Sequence, residues 1–172
     1  MSRIDHYMTR KQGILADRRH DWEAARDKAV IPISAVSKLA GNTGARPTRM
    51  GDHAVISDSA VGMAGHGLGP TAPEMLLGAL ASCLVHTYVI QSCLLGIPFD
   101  EVEVEVRAEI DMAPVVGLPY DGISKIENIT YIARLTSEAP ADQIEQMHRV
   151  VEATCPVLNT LAQPAAIRRV TG

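Results

Sequence analysis

Gly69-Pro70-Thr71-Ala72-Pro73-Glu74-Met75-Leu76-Leu77-Gly78-Ala79-Leu80-Ala81-Ser82-Cys83-Leu84-Val85-His86-Thr87-Tyr88-Val89-Ile90-Gln91-Ser92-Cys93-Leu94-Leu95-Gly96 is the one long apolar stretch of the chain. Its ends carry helix punctuation. Thr71 suits an N-cap, and Pro73 falls in the first turn, where a missing N–H costs nothing. Gly96 and then Pro98 stop the helix. Between them the run is almost uncharged, so the helix is expected to be buried on most sides. Cys83, His86 and Gln91 interrupt it. The length reaches the lower end of a membrane span, but Pro73, Glu74, Cys83, His86 and Gln91 make it a poor one. A buried helix in a cytoplasmic protein, not in a membrane, is the better expectation.

Working outward, Gly62, Gly65, Gly67 and Gly69 form a glycine-rich loop before the helix. No Lys-Ser or Lys-Thr follows, and the spacing fits neither the P-loop nor the dinucleotide fingerprint. Upstream, Ile31–Leu39 alternates and reads as a strand with Pro32 near its start. Gly41–Gly44 reads as a turn, and Arg46–Asp58 as a second strand. Ser2–Lys28 reads as a polar helix with a narrow stripe of Ile14, Leu15, Trp22 and Ala25, suited to a partner subunit.

Downstream, Glu101–Ile110 alternates, with Val102, Val104, Val106, Ala108 and Ile110 on one face and charges on the other. Such a strand has one wet face, which explains its Glu row without a cation site. Ile123–Thr136 is the next strand, with Ile129, Tyr131, Ala133 and Leu135 together. A helix near Glu138–Thr154 buries Ile144, Met147 and Val151. A short helix follows Cys155-Pro156, and Ala165–Val170 reads as a terminal strand. This order predicts an α+β fold with an antiparallel sheet. Residues 1–30 would form a helical extension and 31–172 the main domain.

Composition agrees with a globular protein. The chain has 172 residues, 47% hydrophobic and 21% charged, enough for a sizeable core. Aromatics are only 3%, so aliphatics and Met build it. A net charge of -4 implies no general affinity for nucleic acid or anionic membranes. Three cysteines lack the spacing of a disulfide scaffold and would be free thiols in a reducing compartment unless used chemically.

Cys155, before Pro156, stands at an N-cap, where backbone N–H groups favour a thiolate. Cys83 lies nearly three turns inside its helix, so its own helix end cannot activate it. It needs a cation from elsewhere: Arg46, Arg49, or His86 at i+3. Cys93 is rotated by roughly 80° from Cys83 and lies about 15 Å along the axis, too far for a disulfide. An intrachain disulfide of Cys83 would use Cys155; otherwise the thiols stay free. Buried packing is the ordinary role of a free cysteine. A zinc site of Cys83, His86 and Cys155 lacks the usual paired spacings.

Gly69-Pro70-Thr71-Ala72-Pro73-Glu74 leading into Ala79-Leu80-Ala81-Ser82-Cys83, with Cys155-Pro156-Val157-Leu158-Asn159-Thr160-Leu161 downstream, resembles the OsmC/Ohr superfamily, in its broader OsmC-like branch. The resemblance runs from about Ile31 to Val170. It implies antiparallel sheets wrapped around a long buried central helix, in an intertwined homodimer with sites at the subunit interface. It implies an oxidoreductase, a peroxidase that reduces organic hydroperoxides. Cys83 would be the attacking residue and Cys155 the resolving one, with a lipoyl-type dithiol as reductant and no metal, flavin or haem. An Arg, here Arg46 or Arg49, would hold the thiolate, and Glu74 would orient it. In the family pattern that Glu lies ten residues before the cysteine; here Pro73 does, and Glu74 lies nine before it. The alternative is a non-catalytic dimer that binds an apolar small molecule between aliphatic walls of Leu76, Leu77, Leu80 and Leu84.

Overall fold

In the computed structural model, which describes residues 4–163 and 165–171, the elements come in the order α1 (Asp5–Ala24), β1 (Ala35–Ser37), β2 (Arg46–Met50), β3 (His53–Ser57), α2 (Ala72–Leu95), β4 (Glu101–Ile110), β5 (Ile126–Thr136), α3 (Ala141–Thr154) and α4 (Pro156–Ala162). Two small antiparallel sheets, β1-β2-β3 and β4-β5, make this an α+β chain. It divides into two compact units, Arg19–Gly78 and Met1–Arg18 with Ala79–Gly172.

The larger unit holds the core. Leu80, Leu84 and Tyr88 of α2 meet Met147 and Val151 of α3, with Cys155, Ile97 and Phe99 completing the cluster. Val102, Val104 and Val106 of β4 and Tyr131, Ala133 and Leu135 of β5 pack against it. Each is the inward residue of the expected alternation, and Val104 pairs with Ala133 across the ladder. On the wet face Arg134 pairs with Glu103 and Glu105, which accounts for the Glu row by cross-strand ion pairing. The ladder shifts register between Arg107 and Glu109. Nearby Asn128 sits at φ 53°, and Ile129 is left exposed, a departure from the expected inward set.

The α2 helix begins and ends as its sequence signals. It is long and apolar enough, by length and composition, to cross a membrane. Its buried residues within one chain are Leu80, Leu84, Thr87, Tyr88, Val89, Gln91 and Ser92. Burial on most sides was expected. Instead Ser82, His86 and Leu94 are exposed, because the sheet and α3 cover one stripe only. Polar members of the stripe have partners: Tyr88 Oη bonds His148 Nδ1 at 2.6 Å, Gln91 donates to Thr154 Oγ1 at 3.0 Å, and Ser92 donates to the Ile97 carbonyl at 2.6 Å.

Other expectations need correction. The Arg46–Asp58 strand is a hairpin, β2 and β3, reversed at Gly51-Asp52 with Gly51 at φ 58°. Glycine adopts that backbone without a Cβ penalty, and a two-residue turn gives a tight reversal. The Ile31–Leu39 strand shortens to β1. Residues 165–170 form no strand and are exposed; the segment pairs with neither sheet and so gains no ladder bonds. Ser2 lies outside the described residues. The expected Ser2–Lys28 helix is shorter, Asp5–Ala24; of its stripe Leu15, Trp22 and Ala25 are half-buried and Ile14 is exposed, while Ile4 and Met8 pack on the core of their own unit.

In the smaller unit, Asp58 organises the glycine-rich loop. Its buried carboxylate accepts the N–H groups of Ser59 (2.8 Å), His66 (2.8 Å) and Leu68 (3.2 Å). Those donors, His66 first, hold its pKa below the ordinary value. A Cβ at Gly65 would meet the Ser59 carbonyl, and one at Gly69 the Ile56 carbonyl. These two glycines are needed for close backbone approach rather than for a phosphate.

Candidate functional site

Two local rules bring the cysteines to their positions. Cys83 lies on the half-buried margin of the α2 stripe, one turn before the buried Thr87. Cys155 is both the last cap of α3 and the first of α4, because Pro156 has no N–H with which to continue α3. Its backbone is extended (φ -72°, ψ 111°), and its side chain is fully buried.

The elbow seats Cys155 against Cys83. Cys83 packs against the core cluster to which Cys155 belongs, the Cys155 thiol acts on the Cys83 thiol, and both cysteines are free. A third group joins them: the Val157 N–H, in the first turn of α4, lies close enough to the Cys83 thiol to favour its charged form. Thr87, whose hydroxyl donates to the Cys83 carbonyl at 2.8 Å, also faces the thiol. Burial is the larger influence and pushes the Cys83 thiol up from the ordinary range; the Val157 N–H opposes it, while Cys155 adds to it. The resting thiol is therefore protonated at neutral pH. Its sulfur nevertheless has a fixed donor, a neighbouring thiol and partial exposure, the ingredients of disulfide chemistry.

The helix start expected to favour a Cys155 thiolate thus aims a donor at Cys83. That contact spans more than seventy residues of sequence, so local reading missed it; the only local sign is the Cys-Pro break. His86 is not the cation beside Cys83. Its Nε2 lies 2.8 Å from Lys11 Nζ on α1, and burial, then the Lys11 charge, lowers its pKa. It accepts from an ammonium and is neutral. Cys93 faces α1 too, with its sulfur 3.9 Å from the Met8 carbonyl; burial raises its pKa. That is the separate direction its 80° rotation implies.

Glu74, Arg46 and Arg49 belong to the smaller unit. Glu74 closes a capping box: its Oε2 accepts the Thr71 N–H (2.7 Å) and hydroxyl (2.8 Å), and its own N–H reaches Thr71 Oγ1 (3.4 Å). The Thr71 N–H, then the hydroxyl, lowers its pKa. The Thr-x-x-Glu spacing is a recognised signature of this device and was legible in the sequence. Arg46 donates to the Gly44 carbonyl (3.0 Å) and Ser59 Oγ (3.4 Å). Arg49 is exposed on β2, in register with Ala54 and Val36. Of the four aliphatic residues expected to wall a ligand pocket, Leu80 and Leu84 are buried in the core cluster.

The family model for OsmC-like protein matches residues 65–168, a span that runs from the glycine-rich loop past α4. The chain belongs to the OsmC-like protein family. Its fold agrees with solved OsmC-like structures. It is similar to an OsmC-like protein from Mycoplasma pneumoniae, with TM-score 0.67 and 17% identity over 78% of this chain and 89% of that one. An organic hydroperoxide resistance protein from Elizabethkingia anophelis, crystallised with thiocyanate bound, gives TM-score 0.60 and 14% identity over 78% and 91%. An organic hydroperoxide resistance protein OsmC from Legionella pneumophila gives 0.59 and 13% over 77% and 90%. No match is found among curated protein sequences. At these identities OsmC-like architecture is what the solved structures share with this chain.

Proposed function

We propose that this OsmC-like protein is a thiol-dependent peroxidase that reduces organic hydroperoxides. The observation that carries the reading is the packing of Cys83 against the buried cluster that holds Cys155, with both thiols free. Hydroperoxide resistance proteins among the structural relatives support the substrate class.

The chemistry balances on sulfur alone. Deprotonated Cys83 attacks the distal peroxide oxygen; the O–O bond breaks, the leaving alkoxide takes a proton, and an alcohol departs. Cys83 becomes a sulfenic acid. Cys155 sulfur attacks Cys83 sulfur, and the hydroxyl leaves with the Cys155 proton as water. A dithiol, lipoyl-type in this proposal, reduces the disulfide and is itself oxidised. Because burial keeps the resting thiol protonated, the first step needs a positive group when substrate enters. We assign it to Arg46 or Arg49, with Glu74 as its orienting carboxylate, on the resemblance alone. A cytoplasmic homodimer belongs to the same proposal.

Anaerobic thiol titration after one equivalent of cumene hydroperoxide tests the reading. Wild type is expected to lose two thiols and Cys83→Ser none. Equal slow loss in both would remove Cys83 from the mechanism.

A further inference from the structure

We propose that Asn159 is a positioning residue for the Cys83–Cys155 pair, its side-chain amide replacing the backbone donor that Pro156 removes. The inference rests on the thiol chemistry proposed above. In an α-helix the N–H four residues on serves each carbonyl. For Glu152 that residue is Pro156, which has none. Asn159 Nδ2 fills the gap, donating to the Glu152 carbonyl at 3.1 Å and to the Cys155 carbonyl at 2.9 Å. The Asn159 backbone N–H also bonds the Cys155 carbonyl, at 3.0 Å. Both amide protons are used, one on each side of the break.

The last turn of α3 is thereby stitched to the first turn of α4 across Cys155. The same elbow sets two things at once: where the Cys155 sulfur lies, and where the Val157 N–H points. Cys83 packs against the cluster that holds Cys155, with Val157 beside it, and both groups act on its thiol. Without the amide, the Glu152 carbonyl turns to water and the elbow gains rotational freedom. The sulfurs then spend less time in contact, and the equilibrium for closing their disulfide falls. A simple helix cap elsewhere would not change that quantity.

The test is an equilibrium against glutathione, in which the protein dithiol plus oxidised glutathione gives the protein disulfide plus two reduced glutathiones. It is run in the full chain with Cys93→Ser, so that one disulfide is read. Asn159→Ala is expected to lower the constant about tenfold, a shift of about 30 mV toward easier reduction. In a Pro156→Ala background, where residue 156 regains its N–H, the same substitution is expected to change it by no more than about twofold, the signature of a shared role. Should Asn159→Ala fail to fold, Asn159→Ser, with one donor in place of two, is expected to give a shift of about threefold. An unchanged constant in a folded variant, an equal loss in both backgrounds, or a wild type that forms no Cys83–Cys155 disulfide would overturn the proposal. A wild type that ignores cumene hydroperoxide yet closes the disulfide normally would remove the peroxidase reading and leave Asn159 standing.

Discussion

Among the helices of this chain that start at proline-containing turns, α2 and α4 spend their first donors differently. At the start of α2, Thr71 and Glu74 bond each other's backbone and side chains. The donors are consumed locally, and the result is a well-defined helix entry. At the start of α4, among the described residues, no side chain caps the helix. The Val157 N–H instead acts on the thiol of Cys83, a residue on another helix. A capped start stabilises its own helix; an uncapped one keeps a donor for chemistry. Glu74 and Cys155 both sit beside a proline in the sequence, yet only the second leaves its helix end open to a nucleophile.

The largest effect that would sharpen this contrast is at the open start. Cys155→Ala is expected to abolish peroxide-driven disulfide formation while dimedone still traps a sulfenic acid on Cys83, read by intact mass. A variant that neither closes nor traps would give Cys155 a part in the first step and weaken the division of labour. Thr71→Ala comes next. It is expected to cost about 1 kcal/mol of stability in urea melts, with the glutathione equilibrium of the cysteines unchanged. A large redox shift in that variant would break the contrast.

How far these contrasts could be read in advance differs by residue. The α2 helix, the wet and dry faces of β4 and β5, and the buried side of α3 follow from period, caps and turn residues, because each depends on neighbours within a few positions. The Thr71–Glu74 box has the same local signature, although Glu74 was expected to orient an arginine. What escaped needs long-range information. The Val157 donor reaches Cys83 only through tertiary packing, and Lys11 reaches His86 only because Ile4 and Met8 dock α1 on the core. The β2–β3 reversal was hidden in a short segment whose turn is one glycine and one aspartate. The 165–170 segment carries Ile167 and Val170 and so invites a strand reading, but it pairs with neither sheet.

Acid sharpens the capped start further. The Glu74 pKa is lowered in the fold from its ordinary 4.5, so its contribution is fully present above that value and is lost as pH falls through the lowered one. The stability gap between wild type and Glu74→Gln is expected to narrow on acidification below about pH 4.5; a constant gap would contradict the capping role. The smallest effect is at α1. The His86 pKa is also lowered, from an ordinary 6.5. The unfolded chain therefore binds the proton more readily, and the Lys11–His86 contact is present above that pH and weakens below it. Wild type is expected to lose stability relative to His86→Gln between about pH 7.5 and about 5.5. Parallel thermal melts across that range would show that the contact carries no linkage.

The open helix start is tested most directly by non-reducing peptide mapping after one equivalent of cumene hydroperoxide. The expected product is a single cross-link, Cys83 to Cys155, with Cys93 still a thiol. A cross-link through Cys93, or Cys83 and Cys155 both recovered reduced, would contradict the account.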